Sequence, residues 1–262
     1  MILSLYSAAS GMDAQQVNLD TISNNIANVN TSGFKRSKVE FQDLLYQDRR
    51  QAGGQTATGG TVPTSVAVGN GTRVVSTSRV FTQGQLTQTG EEMDVAINGG
   101  GFFQVEADDG STLYTRDGSF KRSSTGEIVN ADGKVLTGLG TIPTEAVSLY
   151  VSPNGQITYT MSDGTTQQGG QIQLARFANA GGLRAMGGNL FQQTEASGQA
   201  EIGTPGDTGF GTIEQGYLEM SNVNVVQEMV NMIVAQRAYE INSKAIQSSD
   251  SMLGIVNQLK RS

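Results

Sequence analysis

The chain of 262 residues has no cysteine and no histidine. Without them it cannot form a disulfide framework, a thiol nucleophile, a histidine-based catalytic triad or the usual zinc site. Basic charge is also scarce, because 24 acidic and 17 basic side chains leave a formal net charge of −7. These shortages exclude much of enzyme chemistry, and they disfavour binding to nucleic acid or to an anionic membrane.

Long apolar runs are missing as well. The nearest candidate for one, residues 1–9, is shorter than the roughly 20 residues that a membrane-spanning helix requires. It also lacks the basic segment that opens a secretory signal, although Ser7-Ala8-Ala9 could pass for a cleavage site. The sequence therefore predicts no transmembrane segment and no cleaved signal peptide.

Both ends of the chain repeat apolar or small residues at alternating steps of three and four, the spacing of a coiled-coil seam. The N-terminal series is Leu5, Ala8, Met12, Gln15, Leu19, Ile22, Ile26 and Val29, and the C-terminal series is Val225, Glu228, Met232, Ala235, Tyr239, Asn242, Ile246, Ser249, Leu253 and Val256. Such a stripe must be buried against another helix, since propensity alone does not stabilise an isolated helix. We therefore expect the two ends to pair.

The N-terminal helix is poor in charge, since Asp13 and Asp20 are the only charged side chains in residues 1–32. Hydrogen-bonded amides are buried at less cost than unpaired charges, so this helix fits packing on several sides. A helix over residues 222–260 would be about 57 Å long, which exceeds the diameter of a small domain. Both features indicate a subunit of a larger assembly. The first helix is predicted to end near Asn30 to Gly33.

Residues 71–216 have a β pattern, with short alternating or β-branched runs between turn dipeptides. The dipeptides, each predicted to take the positive φ of a tight hairpin, are Asn98-Gly99, Asp109-Gly110, Asp117-Gly118, Asp132-Gly133, Asn154-Gly155 and Asp163-Gly164. Residues 51–61, rich in Gly and Thr, are predicted to be an extended or flexible linker. The predicted fold class is α+β, with paired long terminal helices and a central, mainly antiparallel β domain, discontinuous along the chain. Its predicted parts are residues 1–30 with 222–262, a connecting segment at 31–70, and the β domain at 71–221.

Candidate chemistry is sparse. The two tight acidic clusters, 91–94 and 108–110, could be considered for a glycosidase or for calcium, but the second has the pattern of a hairpin turn and neither matches an EF-hand. Residues 99–101 are three glycines without the lysine and helix start of a phosphate loop. We therefore predict no catalytic, cofactor or metal site, and no enzyme.

The chain contains the stretches SNNIANVNTSGFKR (23–36), DVAINGGGFF (94–103), YTRDGSF (114–120) and QRAYEINSK (236–244). These four stretches resemble the N-terminal, central and C-terminal motifs of the bacterial flagellar rod and hook proteins. The resemblance covers the whole chain. Within the family, the length and QGYLEMSNVNV (215–225) most resemble distal rod subunits, as does the Gly-rich segment 46–68, which hook subunits lack.

The resemblance implies that the terminal helices form an inner tube, that the segment after Asn30 forms a connecting layer, and that the β domain lies outside. It implies a homo-oligomeric helical polymer, a hollow drive shaft of the flagellar basal body that spans the periplasm to the outer membrane. The implied partners are proximal rod proteins, the hook protein, the P-ring and L-ring proteins and the flagellar export apparatus, and the implied export needs no cleaved signal.

The seam residues are the predicted assembly interface: Leu5, Met12, Leu19, Ile22, Ile26, Val29, Val225, Met232, Tyr239, Ile246, Leu253 and Val256. The family motif residues are Asn24, Asn25, Asn28, Gly33, Phe34, Lys35, Arg237, Tyr239 and Asn242. A charge at Ile22 or Ile246 is predicted to block polymerisation. Alternatives are a proximal rod or hook paralogue, a secreted adhesin-type binding module whose ends need no partner, and a cell-wall hydrolase with a carboxylate pair in a cleft.

Overall fold

The computed structural model describes residues 2–50 and 64–259. Two long helices enclose a series of short strands along the chain. In order, the elements are α1 (Ile2–Ala27), β1 (Ser37–Asp43), β2 (Tyr46–Arg50), β3 (Val66–Gly69), β4 (Thr72–Arg79), β5 (Leu86–Gln88), β6 (Val95–Asn98), β7 (Phe102–Glu106), β8 (Thr112–Thr115), β9 (Lys121–Arg122), β10 (Ile128–Val129), β11 (Val135–Leu136), β12 (Ala146–Val151), β13 (Gln156–Met161), β14 (Thr166–Gln171), β15 (Leu174–Arg176), β16 (Arg184–Gly187), β17 (Leu190–Gln192), β18 (Glu201–Gly203), β19 (Thr212–Gln215), β20 (Tyr217–Glu219) and α2 (Val225–Leu259). The α+β class and its discontinuous order along the chain are confirmed.

The described residues form two compact units. Unit 1 lies within residues 1–26, 37–78 and 225–262, and unit 2 consists of residues 27–36 and 79–224. Unit 1 holds most of the two helices and the first strands, whereas unit 2 holds the β domain together with the turn that follows α1. The three-part division at residues 30, 70 and 221 concerns an assembled state and stays a prediction.

Within unit 1 the two helices run antiparallel. Asn25 Nδ2 donates to Glu228 Oε2 at 3.3 Å, and the backbone of Gly11 lies so close to Asn242 that an added Cβ would be 2.8 Å from its Nδ2. The two contacts are 14 residues apart on each helix. The later residue of α1 contacts the earlier residue of α2, as in an antiparallel pair. The expectation that the ends of the chain pair is therefore met within one chain. α2 has 35 residues, which gives a length of about 52 Å.

α1 is packed on a second side, against the strands of unit 1. Ser7 Oγ donates to the Gly69 carbonyl at 3.4 Å, and Ser10 Oγ accepts from the Thr72 N–H at 3.3 Å. Asn25 Oδ1 accepts from Ser37 N–H at 2.9 Å, while its Nδ2 donates to the Ser37 carbonyl at 2.8 Å. Buried Asn25 is thus fully hydrogen-bonded, as a buried amide must be. Packing on two sides accounts for the scarcity of charge in α1.

The strands of unit 1 form two two-stranded ribbons, β1 with β4 and β2 with β3. In the second, Tyr46 is opposite Gly69 and Asp48 is opposite Ala67. The predicted linker at residues 51–61 lies outside the described residues. The described ends of the Gly-rich segment 46–68 form the strands β2 and β3.

Unit 2 contains a nine-stranded sheet in the order β16-β17-β8-β7-β11-β10-β9, with β15 and β18 attached beside β7, and a separate sheet β12-β13-β14. Shorter pairs join β6 to β19 and β5 to β20. β7 is central, and its alternating side chains reach two cores. Phe103 and Val105 lie in an aliphatic core with Ile97, Leu136, Ile157, Ile172, Leu174 and Ile213, whereas Phe102 lies in an aromatic core with Tyr114, Phe177 and Phe191.

Four of the six predicted turn dipeptides connect hairpins: Asp109-Gly110, Asp132-Gly133, Asn154-Gly155 and Asp163-Gly164, each with positive φ at the glycine. The other two dipeptides do not connect hairpins. Gly99 has φ of 120° but connects strands of different sheets. Gly118 has no positive φ, and a Cβ there would be 1.6 Å from the Val95 carbonyl oxygen. Glycine is therefore needed at 118 for a close approach of two backbones.

α1 ends at Ala27, before the predicted Asn30 to Gly33. A turn follows, and Gly33 has φ of 66° within it. None of the described helices is both long and apolar enough to span a membrane.

Candidate functional site

A stripe of exposed side chains, most of them apolar, runs along α2 and is hereafter called the α2 stripe. Its positions follow one another at steps of three or four, so that they share one helix face. They are Val226, Val230, Ile233, Arg237, Ile241, Lys244, Ser248, Met252, Ile255 and Leu259, all of them exposed. Val226 is 72% exposed and Ile241 65%. A large exposed apolar face of this kind marks a surface that is covered by a partner.

The α2 stripe lies on the side away from α1. The residues of α2 that are buried in the chain, Glu228, Ala235 and Ser249, form a row at intervals of seven that also includes half-buried Asn242. Two residues further along, at 230, 237 and 244, the chain has turned by about 200°. α2 therefore packs on α1 with one side and presents the opposite side outward.

The predicted assembly residues are distributed over both kinds of surface. Ile22 is buried within the chain, whereas Tyr239 and Val256 are exposed. The others are half-buried, namely Leu5, Met12, Leu19, Ile26, Val29, Val225, Met232, Ile246 and Leu253. Their packing in a single chain is now visible, and their role between chains stays a prediction. Since Ile22 is 4% exposed, a charge there would disturb the chain's own fold as well as any assembly.

Part of the N-terminal motif leads into a buried ionic cluster in unit 2. Lys35 Nζ donates to Glu219 Oε1 at 2.5 Å and to the Thr82 carbonyl at 2.8 Å, and both charged side chains are completely buried. Burial lowers the pKa of Lys35 from its usual value, and the charge of Glu219 partly offsets that effect. Glu219 also accepts from the Gly84 N–H at 2.8 Å. The ion pair joins the segment after α1 to the strand that precedes α2.

Arg116, from the central YTRDGSF motif, completes the cluster. Its Nη2 donates to the Gly99 carbonyl at 2.7 Å, and its Nε lies 3.7 Å from Glu219 Oε2. Burial lowers the pKa of the Arg116 guanidinium, against the opposing effect of Glu219. Two cations thus share one buried carboxylate, so that the removal of Glu219 would leave two buried cations without an anion. Three separate motifs of the sequence meet at this point.

The other motif residues in this segment also have contacts. The Gly33 N–H donates to the Glu219 carbonyl at 2.8 Å, and a Cβ on Gly33 would be 2.5 Å from the Asp117 nitrogen. Buried Phe34 lies beneath Arg79, whose guanidinium carbon is 5.7 Å from the ring centroid. Asn28 accepts from Thr31 Oγ1.

Asn222 was missed by the sequence reasoning, although it lies in the stretch 215–225 that resembles distal rod subunits. Its Oδ1 accepts from the Arg36 N–H at 2.8 Å, and its Nδ2 donates to the carbonyls of Val80, at 2.8 Å, and Thr82, at 3.1 Å. The Val80 N–H in turn donates to the Arg36 carbonyl at 2.9 Å. Asn222 therefore links, through hydrogen bonds, three segments near residues 36, 80 and 222. At each of these the chain enters or leaves unit 2.

The remaining motif residues lie on the helices of unit 1. Asn24 is exposed, Asn25 bonds to Glu228, and Asn242 lies against Gly11. Arg237 is exposed and pairs with Glu240 at 2.9 Å.

β12 lies at one edge of its sheet, and side chains hinder the addition of a further strand there. Glu92 Oε2 accepts from the Leu149 N–H, while Gln215 Oε1 accepts from the Val151 N–H and its Nε2 donates to the Leu149 carbonyl. Side chains thereby occupy backbone groups that an added strand would use. This edge is therefore an unfavourable place for copies to join.

The hydrolase alternative finds little support in unit 2. A surface pocket of about 310 Å³ is lined by one carboxylate, Glu92, together with Arg122 and mainly apolar side chains. Glycoside hydrolysis usually needs two carboxyl groups across the scissile bond. Within residues 2–50 and 64–259, no group of three or more acidic side chains is placed to hold a metal ion.

Comparison with known families assigns this architecture to a class. Residues 5–35 match the model of the flagella basal body rod protein, residues 96–159 match that of the flagellar hook protein FlgE/F/G D1 domain, and residues 214–259 match that of the flagellar basal body rod FlgEFG protein C-terminal. The order of the three matches, with both ends in rod models, defines the class as the rod and hook proteins of the bacterial flagellum.

Relatives that match over their full length identify one family within this class. The chain is 49% identical to the flagellar basal-body rod protein FlgG of Borreliella burgdorferi, with all of both chains covered. It is 48% identical to FlgG of Buchnera aphidicola subsp. Schizaphis graminum over 99% of this chain and 100% of the relative, and 42% identical to FlgG of Bacillus subtilis over the whole of both. The chain belongs to the FlgG family of flagellar basal-body rod proteins, a family of structural subunits that polymerise within the basal body.

Proposed function

We propose that the chain is the structural subunit of the distal flagellar rod, and that it polymerises into a hollow helical shaft that transmits motor torque across the periplasm to the hook. The α2 stripe is the observation that carries this proposal. Its apolar side chains are exposed in a single chain, and covering them by further copies would supply the hydrophobic driving force for assembly.

Membership of the FlgG family along the full length supports the distal rod over a proximal rod or hook paralogue. The ordered ribbon of β2 and β3, at the base of the Gly-rich segment 46–68, supports it too, since that segment was the feature expected of distal rod subunits. The matching partners would be proximal rod proteins, the hook protein, and the P-ring and L-ring proteins. Export through the flagellar apparatus, without a cleaved signal, is part of the proposal.

A rod of this kind acts by mechanics and not by catalysis. Copies that join through two different surfaces form an open helix when the repeated rotation does not close a ring. The antiparallel helix pair and the buried ionic cluster would then give each subunit the rigidity to transmit torque.

The test replaces two exposed residues of the α2 stripe, Val230→Asp with Ile233→Asp. Both side chains are about half exposed, at 49% and 58%, so the single chain should fold normally. In a bacterium that lacks its own FlgG gene product, this variant should fail to swim and should yield basal bodies without a distal rod in electron micrographs. The expected physical cause is that buried, unpaired carboxylates prevent the stripe from being covered.

The matched control replaces two exposed apolar residues of unit 2, Val147→Asp with Met186→Asp, which are 71% and 51% exposed. This variant should support swimming at the level of the original chain. Normal swimming by the variant of the α2 stripe, at equal subunit levels, would show that the stripe is not an assembly surface.

A further inference from the structure

The α2 stripe is interrupted by positive charge at two positions. Arg237 and Lys244 are seven residues apart and both are exposed, and they are the only cationic positions in a row that is otherwise apolar apart from Ser248. A partner that covers this face must place groups opposite both cations, because desolvated cations without partners oppose binding.

α1 has an exposed row with the complementary charges. Tyr6, Ala9, Asp13, Gln16, Asp20 and Ser23 follow one another at steps of three or four and are all exposed; we name them the α1 stripe. Asp13 and Asp20 are the only charges of α1, and no residue in the described part of the chain forms an ion pair with either. This charge-poor helix therefore carries its two carboxylates together on the face that its own chain leaves uncovered.

The two pairs of charges match in spacing. Seven residues of helix are about 10.5 Å long and almost two full turns, so Asp13 and Asp20 can face Arg237 and Lys244 at the same time. The α1 stripe, like the α2 stripe, lies about 200° around its helix from the intrachain seam, because Asp13 follows Gly11, which lies against Asn242, by two residues. Each chain can thus use both stripes at once, on different neighbours.

The remaining charges on the exposed surface of α2 do not alter this match. Glu240 pairs with Arg237 at 2.9 Å, but both side chains are more than half exposed, and exposed pairs of this kind contribute little. The guanidinium has five N–H donors and can bind a second carboxylate. Asp250 lies beside the α2 stripe and not within it.

We propose that the α1 stripe of one copy packs on the α2 stripe of the next copy, with Asp13 and Asp20 facing Arg237 and Lys244. This inference rests on the proposed function, because it names the surface by which polymerising copies meet. The apolar residues of the α2 stripe, with Tyr6 and Ala9 of the α1 stripe, would supply affinity, and the charges would set the axial register, since a purely apolar seam can slip by a turn. Because the contact joins two different surfaces, it can repeat from copy to copy. It forms an open helix when the rotation per copy does not close a ring.

Charge reversal tests the pairing with the full-length chain. Three variants are required: Asp13→Lys with Asp20→Lys, Arg237→Glu with Lys244→Glu, and all four changes together. The readout is the concentration above which polymer sediments, at low salt and at high salt. Each double reversal should raise that concentration at least about tenfold, because two like-charge contacts replace two attractive ones. The fourfold variant should return to within about threefold of the original chain.

A matched control reverses two exposed carboxylates of unit 2, Glu91→Lys with Glu145→Lys, and alters net charge by the same amount as the aspartate variant. It should polymerise like the original chain. Circular dichroism of dilute samples should show the same helix content and the same unfolding temperature for all variants, since every altered side chain is exposed.

The outcomes separate the two claims. If the original chain polymerises and the aspartate variant does so equally well, or if the fourfold variant stays as defective as the double reversals, the pairing is wrong while polymerisation stands. If the original chain never polymerises, the proposed function is overturned and the pairing with it.

Discussion

At the scale of single residues, Glu219 is held by several polar contacts at once. It is completely buried, it accepts from Lys35 and from the Gly84 N–H, and Arg116 lies beside it. A buried ion pair is no proof of high stability, because desolvation of both ions opposes the attraction between them. The cluster joins three separate segments of the chain at one carboxylate.

We predict strong coupling between Lys35 and Glu219. Lys35→Met should lower the free energy of unfolding by about 3–5 kcal/mol, because it leaves a buried carboxylate without its main cation. Glu219→Gln should also be destabilising. The double variant should cost less than the sum of the single variants by about 1.5 kcal/mol or more, because neither charge then remains buried alone. Urea unfolding of dilute chain measures all three.

The matched control for this cycle is the exposed pair Arg237→Met and Glu240→Gln. Its coupling should not exceed about 0.5 kcal/mol, since an exposed pair three residues apart on a helix is screened by water. Additive costs for Lys35 and Glu219 would mean that the buried pair does not act as a unit.

Sequence reasoning gave Gly33 a local reason, the left-handed turn that closes the first helix, but it singled out Phe34 and Lys35 through a resemblance alone. The structure adds a tertiary reason. Lys35 is needed because Glu219, far along the chain, is buried beside it, and Gly33 is needed because the backbone at Asp117 approaches closely. Neither partner has a periodic relation to residues 33–35, so no local pattern could predict the contact.

At the scale of elements, the seam of α1 shows where periodicity succeeds and where it fails. The positions Ala8 and Ile22 were predicted correctly as inward-facing. Asn25 and Ala14, which are 1% and 2% exposed, were not in the predicted seam. Both residues lie between the positions of the predicted stripe, and they are buried because α1 is packed on two sides rather than along one stripe.

The two helical glycines are predicted to behave differently. Gly254 has open space where a Cβ would be added, so Gly254→Ala should stabilise α2 by up to about 1 kcal/mol through helix propensity. Gly11→Leu should destabilise, because its side chain would displace Asn242 from the seam. The unfolding midpoint in urea, measured on dilute chain, tests both.

The same measurement on Gly11→Ala is the control for side-chain size, since one methyl group meets only the movable end of the Asn242 side chain. It should fall between the other two variants. Equal midpoints for Gly11→Leu and Gly254→Ala would contradict the close approach of the helices at Gly11.

The strands show a similar division between local and tertiary information. Turn residues predicted the four true hairpins, because a tight turn depends on its own dipeptide. They could not predict that β6 pairs with β19, or that β7 is central to a nine-stranded sheet. β6 and β19 are more than 110 positions apart, β7 and its neighbour β15 are more than 70 apart, and such pairings depend on which faces are buried.

At the scale of the whole molecule, a single chain buries the cores of its β domain but leaves its helices partly uncovered. Unit 2 has closed cores, a buried ionic cluster and a capped edge at β12, whereas α2 presents apolar residues along most of its length. This contrast was foreseen from the length of α2 and the low charge of α1. Which face of each helix stays exposed could be seen only once the intrachain register was known.

The measurement that tests the central claim most directly is a concentration series of the purified full-length chain, followed by sedimentation and by electron microscopy. The account predicts a threshold concentration above which filaments of uniform diameter form, as expected when hydrophobic faces are covered by copies of the same chain. A folded chain that stays monomeric at every concentration, with its helices intact by circular dichroism, would contradict the account.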